Sequence, residues 1–110
     1  MKRHEILITR GAARDLDEIY EYVRSADSET QADRLLDKLE VLIRSLAQNP
    51  DRGSRPKELS ALGMREFRQV IHPPYRVFYR LIGPKVLVLI VADGRRDMTT
   101  LLAHRLLGSI

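Results

Sequence analysis

Six arginines in the second half of the chain, Arg65, Arg68, Arg76, Arg80, Arg95 and Arg96, are the residues whose type and grouping point most directly to chemistry. A guanidinium is planar and permanently charged, and it grips a carboxylate or a phosphate at two points where an ammonium offers one. Arginine supplies 15 of the 19 basic residues, a bias toward recognition rather than simple solubility. The charge is also unevenly placed: residues 1–55 hold 10 Lys/Arg against 11 Asp/Glu, and residues 56–110 hold 9 against 4. The second half therefore generates the positive field and should attract an acidic partner. Arg68 and Arg76 stand eight residues apart across a short turn, a spacing that sets them on adjacent strands. A solvated sheet face would carry the same charges for solubility alone, but Phe67, Tyr75, Phe78 and Tyr79 interleave with them and offer stacking surface.

Other chemistries find little support. With no cysteine, disulfides, thiolate metal sites and cysteine nucleophiles are excluded. His4, His72 and His104 lie in separate segments without the carboxylate spacing of a metal motif, so no metal is expected. No Gly-x-Ser-x-Gly turn is present, and the six glycines are scattered at positions 11, 53, 63, 83, 94 and 108 rather than gathered into a phosphate loop. No cofactor is expected. The N-terminal apolar run is too short for a secretory signal and no stretch approaches a membrane span, so the expectation is a soluble, cytoplasmic protein without membrane contact.

The elements that must position the arginines follow from periodicity. Glu5–Thr9, with Ile6, Leu7 and Ile8 in a row, reads as a short buried strand. From Ala12, Leu16, Ile19, Tyr20 and Val23 recur at helical spacing. After a polar break at 25–28, where Asp27 or Ser28 can cap, Ala32, Leu35, Leu36, Leu39, Leu42, Ile43 and Leu46 form a second helical stripe that ends at Asn49-Pro50. Residues 51–63 read as a loop. Three strand-like runs follow, Arg65–Ile71, Tyr75–Ile82 and Lys85–Ala92, joined by His72-Pro73-Pro74 and Gly83-Pro84. The run Val86–Val91 is continuously aliphatic, as a central strand covered on both sides would be. Asp97 can cap a last helix bearing Leu101, Leu102, Leu106 and Leu107. The expected architecture is one α+β domain over residues 1–110: strand, α-helical hairpin, three-stranded antiparallel meander and short C-terminal helix, with helices on one face of the sheet.

In this order, Asn49-Pro50, Gly53, Glu58-Leu59, Gly63, Phe67-Arg68, the run Tyr75-Arg76-Val77-Phe78-Tyr79-Arg80 and Gly94-Arg95-Arg96-Asp97 resemble the RelE/ParE superfamily of toxins from type II toxin–antitoxin pairs, closest to the ParE branch. The resemblance spans the chain. It implies a cognate antitoxin whose disordered C-terminal segment, expected to be acidic, wraps the helical hairpin and the basic sheet, and operator DNA reached only through that antitoxin. It also implies one of two targets, because ParE toxins poison DNA gyrase while RelE toxins cleave messenger RNA on the ribosome.

Shared fold cannot choose between these targets; the site must. If the chain were a ribonuclease, Arg76 and Arg96 match two arginines that hold the reacting phosphate in that branch. Its chemistry also needs a group to move the proton of the attacking 2′-hydroxyl, and the matching position here is about Leu102. Val70 stands where a second basic residue would accompany Arg68. His72 or Glu66 could substitute as proton carrier. The expectation is therefore gyrase inhibition over mRNA cleavage, with no catalytic residue assigned and with the six arginines as contacts to target or antitoxin. A non-toxic nucleic-acid-binding module is the contrasting class.

Overall fold

The computed structural model describes residues 3–107. Strand β1 (Glu5–Ile8) leads directly into α1 (Arg10–Ala26), whose first turn is capped by the Thr9 hydroxyl accepting from the Ala12 amide at 3.1 Å. Ser28 caps α2 (Glu29–Arg44) through the Gln31 amide, so the polar break is a tight helix–helix joint. A 3-10 turn, Ser45–Ala47, ends that helix. The stretch expected to be a plain loop holds a helical turn, α3 (Lys57–Ser60), started by Pro56. The meander is β2 (Phe67–His72), β3 (Tyr75–Ile82) and β4 (Lys85–Asp93), and Asp97 caps α4 (Met98–Leu106) through the Thr100 amide and hydroxyl. None of the described helices is long and apolar enough to cross a membrane.

The sheet order is β1-β4-β3-β2, antiparallel across the meander and parallel between β1 and β4. The aliphatic run of β4 is thus central, as its composition demanded. One face carries Val70, Tyr75, Val77, Tyr79, Val86, Val88 and Val91, packed under Ala12, Leu39, Ile43 and Leu46 of the helical hairpin and its 3-10 extension. The other face carries Phe67, Phe78, Ile90 and Ala92, and Leu59, Met98 and Leu102 from α3 and α4 cover it. Helices therefore lie on both faces, correcting the expectation of one. The reason is elementary: two apolar sheet faces need two apolar layers.

Two polar anchors hold the layers in place. The buried Tyr79 hydroxyl donates to the Pro50 carbonyl at 2.6 Å and accepts the Gly53 amide at 3.1 Å, which pins the chain as it leaves the helical hairpin. At Gly53 a Cβ would stand 2.5 Å from that hydroxyl and 2.6 Å from the Gln69 carbonyl, so only glycine fits. The second anchor is Asp15 of α1. Its carboxylate receives Arg105 of α4 at 2.9 and 3.0 Å and the Val91 amide at 3.0 Å, while Arg105 also reaches the Leu89 carbonyl at 3.1 Å. Because β1 stops opposite Val88, these side chains satisfy the edge of β4 where no strand continues.

Replacing Tyr79 with phenylalanine keeps the ring but strands the Pro50 carbonyl and the Gly53 amide. The expected loss is about 1–3 kcal/mol of unfolding free energy, read from urea denaturation with an unchanged m-value.

Candidate functional site

The strand register divides the arginines. Arg68 pairs with Tyr79 in register and shares the face beneath the helical hairpin, whereas Arg76 and Arg80 share the opposite face with Phe67 and Phe78. Arg68 and Arg76 are on adjacent strands as expected, but the sheet lies between them. The period of two sends every second side chain to one side, and the pairing Ile71↔Arg76 leaves Arg68 out of phase with Arg76.

Arg76 is bound within the protein. Its two terminal nitrogens donate to both Glu58 carboxylate oxygens at 2.9 Å, and its Nε donates to Gln69 Oε1 at 2.7 Å. The guanidinium lies 4.8 Å from the Phe78 ring centroid. Both partners of the ion pair are only 14% exposed. The Arg76 stem lies against the chain at Gly94, where a Cβ would come within 2.8 Å of Arg76 Cδ. The hydrogen bond from Arg76 holds the Glu58 carboxyl below its ordinary value, outweighing the opposing effect of burial. A titratable group therefore stands beside Arg76, but it is an ionised carboxylate with both oxygens occupied.

The remaining arginines are dispersed. Arg68 donates to the Gly53 carbonyl at 2.8 Å and sits 3.8 Å from the Asp51 carboxylate. Arg80 lies 5.7 Å from the Phe67 ring centroid, and its buried Nε has no hydrogen-bond partner. Arg95 is exposed and clamps the carboxylate of Asp93, its neighbour in the turn, at 2.6 and 3.0 Å. That contact is the main reason the Asp93 carboxyl is held below its usual range. Arg96 is exposed and makes no side-chain ion pair among the described residues; it borders a groove of about 300 Å³ with Glu18, Tyr22 and Tyr75. Arg65 is exposed ahead of β2, and its carbonyl accepts from Arg55.

The aromatic residues proposed to stack beside these charges do not do so from the surface. Phe67, Tyr75, Phe78 and Tyr79 are all core residues. Leu102 is 1% exposed inside the α3–α4 layer, so the position where a proton carrier was sought is an apolar plug. His72 shares the face of Tyr75, across the sheet from Arg76, and Glu66 is exposed ahead of β2. Among the described residues no group of three His, Cys, Asp or Glu is placed to hold a metal. Sequence reading missed Glu58, Gln69, Asp15 and Arg105 as a set. Only the Glu58-Leu59 pair in the resemblance hinted at the first, and nothing local marked the others.

A profile of the family described as "ParE toxin of type II toxin-antitoxin system, parDE" matches residues 6–98. The chain belongs to this family. Toxin ParE3 of Caulobacter vibrioides is 28% identical over 100 residues, covering 91% of this chain and 96% of that toxin. Among solved structures, the chromosomal ParDE toxin–antitoxin system from P. aeruginosa superposes with a TM-score of 0.71 at 22% identity, over 83% of this chain and 96% of that one. The toxin–antitoxin complex RelBE2 from Mycobacterium tuberculosis superposes with a TM-score of 0.62 at 20% identity, over 84% and 93%. The α+β architecture of this ParE family member is thus the one seen in both branches of the superfamily.

Substituting Glu58 with glutamine removes the charge that neutralises Arg76 and should cost about 3 kcal/mol. The sign with pH follows from linkage: because the folded-state value of Glu58 lies below its ordinary value near 4.5, the carboxylate stabilises the fold above that pH and loses its contribution as pH falls through the folded value. Denaturation midpoints of the wild type should therefore decline on acidification more steeply than those of Glu58→Gln.

Proposed function

We propose that this toxin acts by binding DNA gyrase rather than by cutting messenger RNA, and that an antitoxin with an acidic segment neutralises it. One observation carries the choice of target: the Arg76 guanidinium is taken up by Glu58, Gln69 and the Phe78 ring. Cleaving a phosphodiester by 2′-hydroxyl attack needs a cation free to meet the phosphate and a group that exchanges a proton near neutrality. Here one of the two matching arginines, Arg76, is engaged while Arg96 is exposed; Glu58 beside Arg76 stays ionised, and the proton-carrier position is the buried Leu102. What remains on the surface suits binding. Arg65, Arg95 and Arg96 are exposed, and Tyr22 stands 70% exposed on the groove that Arg96 borders. Tyrosine and arginine in such a setting are typical of protein-binding hot spots.

The antitoxin reading rests on two supports. Both solved neighbours come from toxin–antitoxin systems, and this chain carries a net charge of +4 that an acidic segment would complement.

Purified toxin should inhibit supercoiling by gyrase and leave ribosome-bound message uncut in a parallel assay. The double substitution Arg95→Ala with Arg96→Ala should raise the half-inhibitory concentration by about tenfold or more. Message cleavage without inhibition of gyrase would reverse the assignment, with Glu58 then the first residue to test as its proton carrier.

A further inference from the structure

The α3–α4 layer covers only part of its sheet face. Toward the Gly83-Pro84 turn that face continues across three strands, and the register lays out its side chains. Leu7, Leu87 and Arg80 stand side by side on β1, β4 and β3, and Glu5, Lys85 and Ile82 form the next row. Ile6, Val86 and Val88 belong to the core beneath the helical hairpin, which puts their neighbours Leu7 and Leu87 on this side of the sheet. Leu7 and Leu87 are half-buried, Ile82 is 48% exposed, and Glu5 and Lys85 are exposed.

Two charged groups on this patch are unpaired. The Arg80 guanidinium makes no ion pair among the described residues, and its Nε is withdrawn from water beside the Phe67 ring without an acceptor. A donor shielded from water and left unpaired is costly, and a carboxylate laid against the guanidinium would supply the acceptor. Glu5 is in register with Lys85, yet it too makes no ion pair among the described residues. Glu5 and Arg80 lie at opposite corners of the patch, with Leu87 and Lys85 of β4 between them. An acid at one corner, an unpaired guanidinium at the other and aliphatic side chains between them complement a copy of the same patch related by a twofold axis.

We propose that this patch is the contact surface of a twofold dimer of the chain, in which Glu5 of each protomer meets Arg80 of its partner and Leu7, Leu87 and Ile82 pack between the two ion pairs. A second copy fits where other occupants do not. An acidic segment would satisfy Arg80 but face Glu5 with like charge. Nucleic acid would be repelled by Glu5 and would leave the aliphatic side chains uncovered. The patch is small beside the roughly 20–30 residues a side of a standard interface, so the dimer is a weak one that forms at micromolar concentration.

Sedimentation equilibrium of the whole chain across the micromolar range should show monomer and dimer in exchange. Ile82→Glu should raise the dimer dissociation constant by about a hundredfold and Glu5→Arg by about tenfold or more. Val41→Glu, a 57% exposed site on α2 across the sheet, should dimerise as the wild type does. The deciding measurement mixes Glu5→Arg with Arg80→Glu. The first variant carries two cations on the patch and the second two anions, so each alone should stay monomeric while the mixture forms a heterodimer. Thermal melting checks that each variant is folded, as exposed substitutions usually leave stability nearly unchanged; if Arg80→Glu does not fold, Ile82→Glu and Glu5→Arg decide the matter. A wild type that stays monomeric throughout the range, or a dimer that Ile82→Glu and Glu5→Arg leave untouched, would overturn the proposal. Failure of the two folded charge variants to associate with each other would overturn it as well.

Discussion

The double burial of β4 is the constraint on which the rest of the architecture depends. Val86, Val88 and Val91 belong to the core beneath the helical hairpin, and Ile90 and Ala92 to the core beneath α3 and α4. A strand apolar on both sides cannot face water on either, so the chain must supply two covering layers. The longer helices α1 and α2 provide the first. The second is assembled from two short pieces, which bury few residues each and need polar fastening as well as apolar contact.

That fastening explains how the charges are used. Glu58 ties α3 to β3 through Arg76, and Asp15 ties α4 to α1 and to the edge of β4 through Arg105. Both pairs are two-point and largely withdrawn from solvent, so removing one partner would leave a charge without compensation. The arginines here fall into two groups: some guanidiniums lock the small layer onto the sheet, and others stay at the surface. A count of basic residues cannot separate these groups. The second half does hold the excess of basic residues, but its exposed arginines, Arg65, Arg95 and Arg96, stand outside the strands rather than on the sheet face.

The same division shapes the functional reading within the ParE toxin family. A ribonuclease on this scaffold would need the α4 side of the sheet to present a free cation and a proton carrier. This chain fills that position with Leu102 and a closed ion pair, making it a packing region. The exposed arginines lie away from that packing region, Arg95 and Arg96 in the turn after β4 and Arg65 ahead of β2.

The four strands and the three longer helices were legible in the sequence because their signals are local, whereas the single turn of α3 (Lys57–Ser60) was read as loop. Ser28 and Asp97 act within three residues, Pro73-Pro74 and Gly83-Pro84 mark two-residue turns, and the leucine stripe of α2 repeats within one helix. The family resemblance lay in the order of such short signals. The phase of the sheet was not legible. A register shift between Phe78 and Tyr79 gives β4 an extra residue and sends Val88 and Val91 to the same core, and pairing alone set Arg68 and Arg76 on opposite faces. Nor were the ion pairs, which join residues 18 and 90 positions apart. The sequence by itself determined the strands, the three longer helices and the two-residue turns, since those choices are made by neighbours along the chain. Only the tertiary structure decided which arginines are free, because a guanidinium is claimed by whichever carboxylate the packing brings within about 3 Å, and chain separation carries no trace of that distance.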